Sequence, residues 1–224
     1  MHLLQFLQKK GYSRRKILDL ILQEQILLNK KKVKNLKEPL VVDDAIEYQG
    51  TEFIVKNEDF QEEDQILILF NKPKGVVVSK SDPHNKTIYE ILPQEFQNFY
   101  YIGRLDRESR GLLLLTNSSS LVNQYEHPKF WIEKEYLITL TSEISDPDLQ
   151  QMKKGISDEW EVLKFLDIQK KAHLLYQVRL NEGKKRHIRR VIKKMGYELL
   201  DLQRIKEWER ELWDLAEWQR KRVK

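Results

Sequence analysis

Leu3, Leu4 and Leu7 recur at helical spacing until Gly11-Tyr12 breaks the pattern. Ser13 then offers an N-cap to a second predicted helix carrying Ile17, Leu18, Ile21 and Leu22. Ile26-Leu27-Leu28 reads as a strand, Asn29 to Lys32 as a turn, and Ala45 to Val55 as two short strands around Gly50. An acidic, polar stretch from Asn57 to Asp64 separates this unit from Ile66-Leu67-Ile68-Leu69-Phe70, an unbroken apolar run that predicts a buried strand. Further on, Thr87-Ile88-Tyr89-Glu90 has the form of a capping box at a helix start. Tyr136, Ile138 and Leu140 alternate with Leu137, Thr139 and Thr141, the period of a half-buried strand. Asp146-Pro147 predicts an N-cap and first helical residue, and Leu174 to Leu180 another strand. Gly183 leads into a helix with Ile188, Val191, Ile192 and Met195 on one face, closed by Gly196. Strands and helices follow one another without regular alternation and without a repeat. The expected class is α+β with a mixed or antiparallel sheet, not a doubly wound parallel one.

A chain of 224 residues has room for one domain and a small module. Lys and Arg outnumber Asp and Glu by 40 to 35, so the placement of charge says more than its sum. The absence of cysteine excludes disulfides, thiolate catalysis and cysteine-ligated zinc, and suits a reducing cytoplasm. No apolar run approaches the roughly 20 residues that cross a bilayer, and Met1 to Lys10 lacks the form of a secretory leader. No coiled-coil seam is evident, so a monomer is expected. His2, His84, His127, His173 and His187 show no ligand spacing, and no metal or other cofactor is expected. Ser118-Ser119-Ser120 reads as an N-cap before a helix, and Leu212, Leu215 and Trp218 as cover for a sheet edge.

Candidate chemistry concentrates in Tyr101-Ile102-Gly103-Arg104-Leu105-Asp106-Arg107-Glu108-Ser109-Arg110-Gly111, which runs into Leu112-Leu113-Leu114-Leu115-Thr116-Asn117. A carboxylate between two apolar runs stands at the rim of a sheet, where it needs a cation nearby. An ordinary polar hairpin would account for a lone aspartate there. The whole string, however, resembles the active-site loop of RNA pseudouridine synthases of the RsuA type: Gly-Arg-Leu-Asp, two variable residues, Thr/Ser-x-Gly, then a leucine-rich run ending in Thr-Asn. Asn71-Lys72-Pro73-Lys74-Gly75 is similar to that family's Asn-Lys-Pro-x-Gly, and Glu133-Lys134-Glu135-Tyr136 to its second motif. Glu182-Gly183-Lys184-Lys185-Arg186-His187-Ile188-Arg189-Arg190 is similar to its third, with His187 in place of glutamine.

The first unit has its own signal. Ser13-Arg14-Arg15-Lys16 places three cations at a helix N-terminus, where the dipole disfavours them by about 0.3–1 kcal/mol each. Free amides together with cations suit a phosphate; the alternative is a solvated basic turn. Helix, basic helix, then a strand ending in Asn29 resembles the small RNA-binding module of ribosomal small-subunit protein four, with Glu24 and Lys30 where that module has glycines. The expected organisation is an RNA-binding module over residues 1–56, a linker over 57–64 and a catalytic domain over 65–224.

The resemblance implies conversion of uridine to pseudouridine in ribosomal RNA. The bond from ribose C1′ to N1 breaks, the uracil turns, and C5 joins C1′. Asp106 is implied as the group that meets the electron-poor sugar, and Arg189 as the cation that keeps it ionised in a water-poor cleft. Tyr136 is implied as the contact to the freed base and acceptor for the C5 proton, through water or directly. Arg104 is expected to fill the gap left by a flipped base or hold a flanking phosphate. Lys72, Lys74, Lys184, Lys185, Arg186 and Arg190, with Arg14, Arg15 and Lys16, are expected to add salt-sensitive RNA binding. A non-catalytic RNA-binding or ribosome-assembly factor and a transfer-RNA synthase are the alternatives.

Overall fold

The computed structural model describes residues 1–61, 65–126, 132–212 and 220–223. The chain divides at the polar stretch before Ile66 into two units, Met1–Asp64 and Gln65–Lys224. In the first, α1 (Leu3–Lys9) and α2 (Arg14–Leu22) pack on a four-stranded sheet. Its strands are β1 (Ile26–Leu28), β2 (Lys31–Lys32), β3 (Ala45–Tyr48) and β4 (Thr51–Ile54), in the order β2-β1-β3-β4. Ser13 caps α2, its side chain accepting from the Lys16 amide at 3.1 Å. The buried face of α2 is Ile17, Leu20 and Ile21; the predicted Leu18 and Leu22 stand exposed at 41 % and 73 %. Leu20, three residues from Ile17 and adjacent to Ile21, lies nearer the middle of that stripe than Leu22. Glu24 and Lys30, expected to stand in place of glycines, take left-handed backbone, a conformation glycine adopts freely, and so does Asn29. Asn29 is held there by Asp44, at 2.7 Å, and by the Ala45 amide, at 2.9 Å. The acidic segment contributes a 3-10 turn, Asn57–Phe60, tied to α1 by Lys9 and Lys10.

The second unit is built on one mixed sheet. It contains β5 (Leu67–Lys72), β6 (Tyr100–Ile102), β7 (Arg110–Thr116) and, after α3 (Ser119–Glu126), β8 (Lys134–Leu140). Helix α4 (Asp146–Lys154) precedes a separate two-stranded hairpin, β9 (Ile156–Asp158) with β10 (Glu161–Leu163). The large sheet resumes with β11 (Asp167–Ala172) and β12 (Leu175–Leu180). After α5 (His187–Lys194) it takes in β13 (Leu199–Glu207), β14 (Arg210–Glu211) and β15 (Arg220–Val223). Its order is β11-β12-β8-β13-β7-β5-β15, with β14 on β13 and β6 on β7. Among the described strand pairs only β13–β7 is parallel, so the expected α+β class with a mixed sheet holds.

Burial follows the patterning. Every residue of β5 is buried, because one face joins a core with Leu113, Leu115 and the α5 residues Ile188, Val191 and Ile192. The other face joins a second core with Leu112, Leu114, Tyr125 and Leu212. In β8 only Tyr136, Ile138 and Leu140 turn inward. Three details differ from expectation. The N-cap of α4 is Ser145, whose hydroxyl accepts from the Asp148 amide at 3.3 Å, so that Asp146 and Pro147 are the first two helical residues. The Thr87 capping box, with its amide donating to Glu90 at 2.9 Å, opens a single 3-10 turn, since Pro93 follows too soon for a helix. Leu212 lies in the second core, whereas Leu215 and Trp218 are outside the described residues. No helix among the described residues is long and apolar enough to cross a membrane.

Candidate active site

The sheet divides at β7. Along one edge β7 pairs with β5 throughout. Along the other it pairs with β6 at Leu114–Thr116 and with β13 only at Arg110–Gly111. The divergence of β6 from β13 exposes the Leu112 carbonyl, and the Arg204 Nε donates to it at 2.6 Å. Gly111 permits the parallel approach: at φ +104, a Cβ there would lie 2.2 Å from the Arg204 carbonyl oxygen. The gap opens into a cleft of about 1010 Å³ whose walls are the 101–109 loop and residues 180–189.

Asp106 sits in the loop joining β6 to β7. Backbone bonds close this loop: Ser109 N to Asp106 O at 3.0 Å and Gly75 N to Arg107 O at 2.8 Å. At its start Glu126 accepts from the Gly103 amide at 2.7 Å. Lys72, at the end of β5, is wholly buried, and its ammonium donates to Ser109 O at 2.8 Å and Pro73 O at 2.9 Å. It also approaches Asp106 O and Arg107 O at 3.4 and 3.5 Å. This corrects the expectation for Lys72. A cation that is fully buried and caged by carbonyls has no surface for a phosphate; it clamps the aspartate loop.

Arg189 reaches the same loop from α5. Its Nη2 donates to Glu108 O at 2.9 Å and Ser109 Oγ at 3.0 Å, and its Nε stands 3.6 Å from Asp106 Oδ2. Burial lowers the Arg189 pKa and the Asp106 charge opposes the shift. Arg186, at 3.9 Å, is a second cation on the same oxygen. The carboxylate side chain is one third exposed, so the cleft is wetter at this point than expected. The Asp106–Arg189 meeting itself is present.

Tyr136 forms the floor. It is 9 % exposed, and burial drives its phenol pKa up while the neighbouring Arg204 guanidinium pulls the other way. Arg204 is its direct cross-strand neighbour and is 1 % exposed. Glu207 Oε2 lies 3.2 Å from Arg204 Nη2, within ion-pair range though not aligned for a hydrogen bond. Lys134 stands 3.7 Å from the other Glu207 oxygen. Sequence reasoning missed this buried ionic group, and the one available signal was an arginine at an inward position of a strand, two residues after Leu202.

Arg104, Lys184, Lys185 and Arg186 line the cleft with the three central residues. Lys184 is engaged with Glu161 and Glu182, and Lys74 pairs with Asp201 at 2.6 Å. Arg190 is a second correction. It turns away from the cleft, donating to Asp158 at 2.7 Å and Glu161 at 2.6 Å, pairs that raise its pKa. Both ends of its guanidinium fork are thereby committed to carboxylates of the β9–β10 hairpin. Arg14, Arg15 and Lys16 are exposed on the first unit. His187 is 4 % exposed at the cleft wall, with neither ring nitrogen hydrogen-bonded, and burial lowers its pKa.

Comparison with known proteins gives the chain a family and its fold a neighbour. Residues 66–194 match the family model described as RNA pseudouridylate synthase. The chain is 31 % identical over 194 residues to the dual-specificity RNA pseudouridine synthase RluF of Salmonella typhi, covering 87 % of this chain but 65 % of that relative. It thus spans just under two thirds of that protein's length. It is also 31 % identical over 199 residues to the ribosomal large subunit pseudouridine synthase B of Bacillus subtilis strain 168, covering 86 % of this chain and 79 % of the relative. A crystal structure of a pseudouridylate synthase shares the fold with a TM-score of 0.69 at 23 % identity, over 100 % of this chain and 96 % of that one. On the matched segment, which contains Asp106, Tyr136 and Arg189, the chain belongs to the RNA pseudouridylate synthase family.

Proposed function

We propose that this protein isomerises a uridine of ribosomal RNA to pseudouridine, with Asp106 as the catalytic carboxylate, Arg189 as its partner and Tyr136 as the contact to the base. The observation that carries the reading is the 3.6 Å approach of Arg189 to Asp106 at the mouth of a cleft floored by Tyr136. Breaking the C1′–N1 bond leaves its electron pair on the uracil and positive character on the sugar. The Asp106 oxygen meets that charge by proximity, by bonding to C1′ or by taking the neighbouring sugar proton. The freed base turns against the Tyr136 ring and C5 bonds to C1′ as Asp106 leaves C1′ or returns the sugar proton; the C5 proton then passes to water beside the phenol, and N1 takes a proton from water. A phenol kept neutral by burial orients this transfer without itself holding the proton.

The uridine enters flipped from its stack, at a cost of a few kcal/mol. Arg104, Lys185 and Arg186 line the route with cations, and the first unit adds Arg14, Arg15 and Lys16 as an RNA clamp. Ribosomal RNA as substrate, action as a monomer and action in the cytoplasm belong to the same reading. The named substrates of the relatives support the first, and the lack of cysteine suits the last.

Tritium release from C5-labelled uridine in unmodified bacterial ribosomal RNA tests this. The wild type is expected to release tritium, and Asp106→Asn to release it at least about a thousandfold more slowly while binding RNA as before. A wild type that binds RNA but releases none would leave the non-catalytic binder as the better description.

A further inference from the structure

The β9–β10 hairpin holds an indole in open solvent. Trp160 is 98 % exposed at the hairpin turn, where Glu159 takes φ +54. Tryptophan is on average among the more buried side chains, so full exposure at a fixed position calls for a physical reason. The position is fixed. Arg190 grips both flanking carboxylates, Asp158 at 2.7 Å and Glu161 at 2.6 Å. Lys194 adds a contact to Asp158 at 3.5 Å, and Lys184 donates to the Val162 carbonyl at 2.8 Å. At the hairpin base, Gly155 admits Val162 so closely that a Cβ would meet its Cγ1 at 2.7 Å. The helix that brings Arg189 to Asp106 therefore also braces this hairpin.

Two considerations identify what covers the indole. The three hairpin carboxylates, Asp158, the exposed Glu159 and Glu161, are matched in number by Arg190, Lys184 and Lys194, while the adjoining cleft wall adds Lys185 and Arg186 as exposed cations. That balance favours a polyanion. The apolar surface is one indole with the 57 % exposed Val162 beside it. This falls far short of the roughly 1,200 Å² that a specific protein interface buries, and it matches the face of a single nucleobase.

We propose that Trp160 is a stacking platform for an unpaired base of the bound RNA, distinct from the uridine that enters the cleft. The inference rests on the proposed RNA substrate and adds a second recognition point to it.

A fluorescein-labelled RNA hairpin with an unpaired uridine-rich loop serves as the probe. The Trp160→Ala variant of this 224-residue chain is expected to bind it about tenfold more weakly than wild type. Trp160→Phe is expected to stay within about threefold, and Trp160→Leu, apolar but unable to stack, to be as weak as the alanine variant. The ratio of wild type to Trp160→Ala should hold from about 50 mM to about 200 mM salt, because a stack releases no counterions. Equal binding by the alanine variant, or recovery by leucine, would overturn the platform. Melting midpoints confirm that each variant folds. If wild type binds the probe with this aromatic dependence yet never releases tritium from labelled RNA, the isomerase reading fails and the platform stands. If tritium is released and Trp160→Ala binds normally, the platform alone fails.

Discussion

His187 illustrates what a single position costs and what it reports. Its ring is enclosed by Phe165, at 6.1 Å, and faces Glu182, Glu161, Lys184 and Arg190 without a hydrogen bond to any of them. Burial lowers its pKa below the ordinary 6.5, so the unfolded chain binds the proton more readily than the folded one. The stability contributed by the neutral ring is complete above pH 6.5 and is lost as pH falls towards the depressed value. The melting temperature of wild type should therefore drop more steeply between about pH 7.5 and pH 5.5 than that of His187→Gln, which does not titrate. Parallel melting curves for the two proteins would count against a depressed pKa. Lys72 makes a different prediction. Replacing it with methionine strands several buried carbonyls, at a cost of about 3 kcal/mol in urea unfolding. Isomerisation should fall further than RNA binding, because the loop that carries Asp106 is loosened. These residues also show where sequence reading stops. Asp106, Tyr136 and Arg189 were legible because each stands in a motif of fixed spacing. Lys72 was read as a phosphate contact because, Pro73 apart, its cage of carbonyls comes from residues more than thirty positions later, which no local pattern announces.

Among the elements, α5 and β13 brace the candidate site, one by Arg189 and the other by Arg204. Arg189 and Arg190 are consecutive on a helix, so their side chains diverge by about 100° and cannot face one cleft together. That constraint was available from sequence and would have assigned only one of them to the site; choosing which required the α5 core face of Ile188, Val191 and Ile192 to be placed against the sheet. Strand β13 hid its role because alternation puts Arg204 on the buried face of Leu202, where an arginine is not expected, and only the divergence of β6 from β13, which leaves the Leu112 carbonyl for Arg204 to satisfy, explains it. The close approach at the parallel register gives a sharp test. Gly111→Ala combines left-handed strain with a backbone clash and is expected to cost more than about 3 kcal/mol, read as a fall in the urea midpoint or as insoluble protein. Unchanged stability would mean that β7 and β13 lie further apart than described.

For the whole molecule, the two units divide the labour in the proposed reading: one holds the Asp106 cleft, the other presents Arg14, Arg15 and Lys16. Replacing those three by alanine should weaken binding to structured RNA similarly across sequences and flatten the salt dependence, by roughly 0.7–0.9 in log–log slope for each lost phosphate contact. An unchanged slope would place the three in free solvent. The α+β class was legible from the lack of alternation, whereas the strand order was not, because pairing across the sheet joins distant segments. That long-range pairing has its own consequence. Residues 110 and 111 find their parallel partners only at 203 and 204, so the Asp106 end of the cleft is translated long before the strand that completes its floor. A half-made chain still threaded through a ribosome lacks Arg204 beneath Tyr136. On the proposed activity, the machine that synthesises this protein is spared its attention until residues 203 and 204 have been made and paired.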